Sequence, residues 1–223
     1  MWFLGDCHGC FDTYWWIIRH MDQGRGRKID CSIQVGDMGI FDDGDSKRLL
    51  VSVDKQHRFI RGNHDNPELC NHHPNYLGDY GYASSNIFWI SGGYSIDRAR
   101  RTQGIDWWPD EELDTSILRQ IIDIYADIKP TIMVSHECPL SIGTYILNKK
   151  DGFSPDVPRD KIKSKTCQAL QAMFDIHKPE IWIFGHYHYY MDQVLDGTRF
   201  VGLHEMIDGP PKQCVFELPG VSW

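Results

Sequence analysis

Met1-Trp2-Phe3-Leu4-Gly5-Asp6-Cys7-His8-Gly9 (MWFLGDCHG, residues 1–9) is a short apolar run that breaks at glycine and delivers an acid and an imidazole. A buried strand feeding a loop at its carboxyl end reads this way. The pattern recurs along the chain. Apolar runs at 31–35, 57–61, 131–134 and 180–184 lead into Gly36-Asp37-Met38-Gly39, Gly62-Asn63-His64-Asp65, Ser135-His136-Glu137 and Gly185-His186-Tyr187-His188. Runs at 87–90, 198–203 and 213–218 also read as strands. Helical patterns lie between them. One covers 12–21, behind an Asp12 cap with Trp15 and Ile18, and another covers 45–54 with Leu49, Leu50 and Val53 on one side. The pattern at 114–129 places Ile117, Ile121, Ile124 and Ile128 at helical spacing and stops before Pro130; the one at 159–178 stops before Pro179. Strands alternating with helices predict a layered α/β domain with active loops at the carboxyl ends of the strands and the last, closely spaced strands antiparallel.

The chain has 223 residues, 41% of them hydrophobic and 24% charged, which suits one globular domain with a sizeable core. With 31 acidic and 23 basic side chains its formal net charge is -8, so a broad basic surface for duplex nucleic acid is not favoured. Seven scattered cysteines, an odd number, do not make a disulfide framework and point to the reducing cytoplasm. No apolar run approaches the ~18 residues that span a bilayer, and the first residues lack the charged and apolar regions of an export signal. The segment 148–159 (NKKDGFSPDVPR) is a loop or lid candidate.

The chemistry sits at five strand ends. They carry Asp6 and His8; Asp37; Asn63, His64 and Asp65; His136; and His186 and His188. Side chains two apart at a strand end project to one side, so Asp6 with His8, and His186 with His188, can converge. Imidazole, carboxylate and amide oxygen together suit Mn, Fe or Zn and are too rich in nitrogen for Ca. Seven donors exceed what one ion needs. Cys7-His8-Gly9-Cys10 is also a CxxC, with a redox or metal-clip alternative, and Cys70, His72 and His73 in LCNHHP hint at a second cluster that lacks a full ligand set. Trp15, Trp16 and Trp182 read as core aromatics, and His204 as structural.

These five motifs, GDCHG, GDMG, GNHD, the lone His136 and GHYH, in this order over residues 5–188, resemble those of the calcineurin-like metallophosphoesterases. The resemblance implies an α/β sandwich of two mixed β-sheets flanked by α-helices. It implies two divalent ions, Mn first, with Fe, Zn or Ni as alternatives: Asp6, His8, Asp37 and His188 would hold one, and Asp37, Asn63, His136 and His186 the other. It also makes His64 the general acid or transition-state donor, with Asp65 orienting its ring. The implied reaction is hydrolysis of a phosphomonoester or phosphodiester, in a small nucleotide or phosphoprotein-type substrate, by attack of hydroxide held on the metals. Two carboxylates and one hydroxide against two dications leave the centre roughly +1, enough to draw in a phosphate locally. Two rivals share the fold: a non-catalytic scaffold like the retromer-subunit relatives, against which the full ligand set and His64 argue, and a repair-type nuclease, which normally adds a DNA-binding domain.

One departure concerns phosphate binding. The protein phosphatase branch continues its second motif as VDRG, whereas Met38-Gly39-Ile40-Phe41 follow Asp37 here. Substitute cations for a small phosphorylated substrate are Arg61, ahead of GNHD, and Arg98, Arg100 and Arg101. The wider stretch at 92–113, GGYSIDRARRTQGIDWWPDEEL, is similar to one in bacterial and phage-encoded members of unassigned substrate.

Overall fold

The computed structural model describes residues 1–20, 29–41, 56–84, 86–149 and 164–223. The helix expected over 45–54 and most of the 148–159 loop lie outside these residues. Two mixed sheets form the frame. The first has the order β10-β1-β2-β3, with β1 (Trp2–Leu4), β2 (Ser32–Gln34) and β3 (His57–Phe59) parallel and β10 (Val215–Glu217) antiparallel to β1. In the second, β5 (Ile87–Ile90), β6 (Ile132–Ser135), β7 (Ile181–Phe184) and β9 (Thr198–Gly202) run parallel. Its edges, β4 (Tyr80–Ala83) and β8 (Met191–Leu195), are antiparallel to their neighbours.

The unbroken apolar runs follow from covering both faces of each sheet. Phe3, Ile33, Val35 and Ile60 of the first sheet meet Ile87, Trp89, Val134, Ile183 and Val201 of the second in one buried layer. Behind the first sheet, Leu4 and Phe59 pack on Tyr14, Ile17 and Ile18 of α1 (Phe11–His20). Behind the second, Phe88, Ile90, Met133, Trp182 and Phe184 pack on three helices: α3 (Thr115–Ile128), α4 (Leu140–Lys149) and α5 (Lys165–Ile176). Among the described residues a further α-helix, α2 (Pro67–Asn71), is capped by Asn66, whose side chain accepts from the Glu68 and Leu69 amides.

Several expectations need correction. Trp16 is 49% exposed, because the buried stripe of α1 is Tyr14, Ile17 and Ile18, at i, i+3 and i+4. The last two strands do not pair with each other: β9 adds to the second sheet, parallel to β7, and β10 closes the first. α5 begins at Lys165, where Ser164 caps it by accepting from the Cys167 amide at 2.9 Å. All seven cysteines are free thiols. Among the described residues no helix is long and apolar enough to cross a membrane.

Candidate metal centre

The ligand candidates come from both sheets. The loops after β1, β2 and β3 carry Asp6, His8, Asp37 and Asn63, and those after β6 and β7 carry His136, His186 and His188. Four of these residues take left-handed backbone conformations: His8, Asp37, His186 and His188, at φ 48°, 54°, 67° and 46°. Each such residue costs roughly 1–2 kcal/mol. Strain of this kind, gathered at four side chains that face one another, is the mark of a functional site.

Asp6, His8, Asp37 and His188 each offer an atom within 4.8 Å of the other three. Asp6 Oδ2 accepts from the His186 amide at 2.9 Å and stands 3.2 Å from His188 Nε2, which is 3.1 Å from His8 Nε2. Asp6 Oδ1 is buried with no hydrogen-bond partner among the described residues. Residue 185 must be glycine, since a Cβ there would run into that oxygen.

The second group adjoins the first. His136 Nε2 lies 3.3 Å from Asp37 Oδ1, 3.0 Å from Asn63 Oδ1 and 3.3 Å from His186 Nδ1. His136 Nδ1 donates to the Val35 carbonyl at 2.9 Å, which leaves Nε2 as the nitrogen that faces inward. Asn63 is oriented by a chain: its Nδ2 donates to Ser95 Oγ at 3.0 Å, and that hydroxyl donates to Glu111 Oε2 at 2.5 Å. Asn63 Oδ1 therefore points inward, 2.9 Å from His186 Nδ1.

Electrostatics bind the cluster together. Burial alone would raise the Asp37 carboxyl, but His136 and His64 hold it well below the usual carboxylate range. Burial works against a charged His136, yet the facing Asp37 carries it up to about 10. Burial and then the His136 cation push His186 down to about 3. Lone pairs of nitrogen and oxygen facing one another at 3 Å are repulsive without a proton or a cation between them. The donor set and the orphaned Asp6 oxygen thus fit divalent ions.

The cluster floors a cleft of about 460 Å³, whose wall includes Ile96, Asp97, Arg101, Glu137, Leu147, Tyr187, Glu205 and Ile207. The model of the calcineurin-like phosphoesterases matches residues 1–190. The chain belongs to this family. It is a metal-dependent phosphoric ester hydrolase. Comparison with curated proteins gives no match. Among solved structures the chain is similar to the phosphopantetheinyl hydrolase of Mycobacterium tuberculosis, with 12% identity, a TM-score of 0.53, and coverage of 99% of this chain and 95% of that one. A protein of Thermotoga maritima solved by NMR is also similar, at 17% identity and a TM-score of 0.36, with coverage of 86% of this chain and 76% of that one.

In this phosphoesterase, His64 stands apart from the inward-facing donors. Its backbone N–H donates to Asp37 Oδ1 at 2.8 Å, and its Nε2 is 4.0 Å from Asp37 Oδ2. The expectation that Asp65 orients this ring needs correction. The buried Asp65 carboxylate accepts the amides of Gly62, Met38, Gly39 and Ile40 at 2.7–3.1 Å, so it braces the two loops that carry Asp37 and Asn63. The His64 ring instead meets Arg101, whose Nη1 and Nη2 lie 2.8 and 2.7 Å from Nδ1 and Nε2. A neutral imidazole offers one acceptor, so only one of these contacts is a hydrogen bond.

The other arginines also sort out. Arg61 is 3% exposed, ion-paired to Asp79 at 3.0 Å and donating to the Glu111 carbonyl at 2.8 Å; it ties the frame and does not line the cleft. Arg98 is exposed and packs over the Tyr94 ring, and Arg100 is exposed. Only Arg101 of the four enters the cleft, steadied by Asp97 through Nε at 2.7 Å and Nη2 at 2.8 Å. Burial pushes both thiols of the CxxC up, away from the thiolate form that redox chemistry or metal binding needs. In LCNHHP, Cys70 is core, His72 contacts the Glu68 carbonyl and His73 accepts from the Asn75 amide.

Proposed function

We propose that this phosphoesterase hydrolyses a small phosphomonoester or phosphodiester at a two-ion centre. Asp6, His8, Asp37 and His188 hold one ion; Asp37, Asn63, His136 and His186 hold the other. The observation that carries this reading is the placing of Asp37. Its Oδ1 faces His136 at 3.3 Å, its Oδ2 faces His8 at 3.8 Å, and one carboxylate thereby serves both groups. The ions, with Mn first and Fe, Zn or Ni as alternatives, supply Lewis acidity for the phosphoryl oxygens and for the attacking water.

The side chains do the rest. His64 lines the cleft beside Asp37 without joining the inward donors, where it can give a proton or hydrogen bond to the leaving oxygen. Arg101, held by Asp97, is the phosphate-gripping cation; it takes the place of the arginine that follows the second motif in protein phosphatases. That position favours a monoester dianion over a diester monoanion more than the missing VDRG arginine would suggest. A cleft of about 460 Å³ with one arginine beside Asp97, Glu137 and Glu205 suits a small substrate better than a polyanion. The seven free thiols support a reducing compartment such as the cytoplasm.

The test is kcat/KM for paired aryl monoester and diester substrates with Mn, for the parent and Arg101→Ala. The expected result is hydrolysis by the parent and a loss in the variant that is larger for the monoester. No hydrolysis of either ester would overturn the reading; equal losses on both would remove Arg101 from dianion recognition.

A further inference from the structure

Beyond residue 190, where the family match ends, one carboxylate reaches the centre. Glu205 lies in the loop after β9, with its Oε1 3.2 Å from His188 Nδ1. The other ring nitrogen of His188 faces Asp6 and His8, at 3.2 and 3.1 Å. An imidazole that ligates through one nitrogen carries its proton on the other. A carboxylate behind that proton fixes the tautomer and the ring orientation, and makes the ligating nitrogen more basic.

The loop is built to hold this position. The Met206 amide donates to the Asp6 carbonyl at 2.8 Å, and the His204 amide donates to the Gln213 carbonyl at 2.9 Å. The Gly209 amide and the Cys214 thiol both donate to the Glu205 carbonyl at 3.1 Å. Among the described residues the Glu205 carboxylate makes no other hydrogen bond or ion pair. The contrast is Glu137, which stands 3.6 Å from His186 Nε2, beyond hydrogen-bond range, while its oxygens accept from Ser164 at 2.6 Å and Cys167 at 3.3 Å.

We propose that Glu205 is a positioning residue that makes His188 an Nε2 ligand and so strengthens metal binding at the Asp6, His8, Asp37 and His188 position. This rests on the two-ion reading above. The test is titration of the chelator-stripped full chain with Mn²⁺ alone, read by the EPR signal of free Mn²⁺, for the parent, Glu205→Ala, Glu205→Gln and the control Glu180→Gln, an exposed residue just before β7 at the end away from His186. The parent and the control should show two binding steps. In Glu205→Ala one step should weaken about 10- to 100-fold while the other stays and the metal-free Tm is unchanged. Glu205→Gln keeps the volume and an acceptor oxygen, and should fall between. Two steps at parental strength in Glu205→Ala would overturn the proposal, as would equal weakening of both together with a lower metal-free Tm, the sign of a merely structural loop. A parent with fewer than two steps would sink the two-ion reading itself.

Discussion

His136 shows how one residue answers to burial and to chemistry at once. It is fully buried, its Nδ1 proton is committed to the Val35 carbonyl, and Asp37 carries it up to about 10. Below that value the metal-free ring is protonated, and a cation must displace the proton to bind. Apparent metal affinity therefore rises with pH, by up to tenfold per unit, with a proton released on binding. Manganese titrations at about pH 6.5 and about pH 8.5 should differ in this direction; a flat profile would mean that His136 is already neutral. His64 makes the opposite case. It faces the cleft outside the donor knot, so His64→Ala should keep its metals yet lose activity by about 10²- to 10⁴-fold, as loss of a general acid does. The loss should shrink on aryl esters whose leaving group needs no proton. Metal loss in the variant, found by elemental analysis, would instead make His64 a ligand.

At the scale of elements, the donors were legible because each ends a strand that the core buries on both faces, so apolar run and polar terminus appear together in the sequence. Their supports were not. Asp65 follows His64 directly and reads as its partner, but its carboxylate turns to four backbone amides of two loops. Arg61 adjoins the same motif and points away to Asp79, while Arg101, some forty residues further on, reaches the ring. Sequence distance says nothing about such pairs, and no local signal marks Ser95, Glu111 or Glu205. The start of α5 gives a stability prediction. Ser164 Oγ caps the helix through the Cys167 amide and donates to Glu137 Oε2. Ser164→Ala removes a cap, at about 0.5–2 kcal/mol, and leaves a buried acceptor short of a donor, at about 1–3 kcal/mol. Urea unfolding should show a lower midpoint at unchanged slope; a midpoint within error of the parent would mean that water takes over the role.

Across the whole molecule, the centre joins the two sheets: Asp6, Asp37 and Asn63 belong to one, and His136, His186 and His188 to the other. Ions bound there would tie the two sheets together and stabilise the folded state by mass action. At a free metal concentration of 100 times Kd, each site adds about 2.7 kcal/mol. For a chain of this length that corresponds to roughly 5–11 °C in Tm per site, lost on chelation. Calorimetry with and without chelator would register it, and an unchanged Tm would show that the sheets do not depend on the centre. Asp37 lies between both donor groups, with Oδ1 facing His136 and Oδ2 facing His8. The direct measurement is the manganese content per chain after loading and desalting, for the parent and for Asp37→Ala. Two ions in the parent and a fall at both positions in the variant are the predicted result. One tightly held ion in the parent, or undiminished metal in the variant, would contradict it.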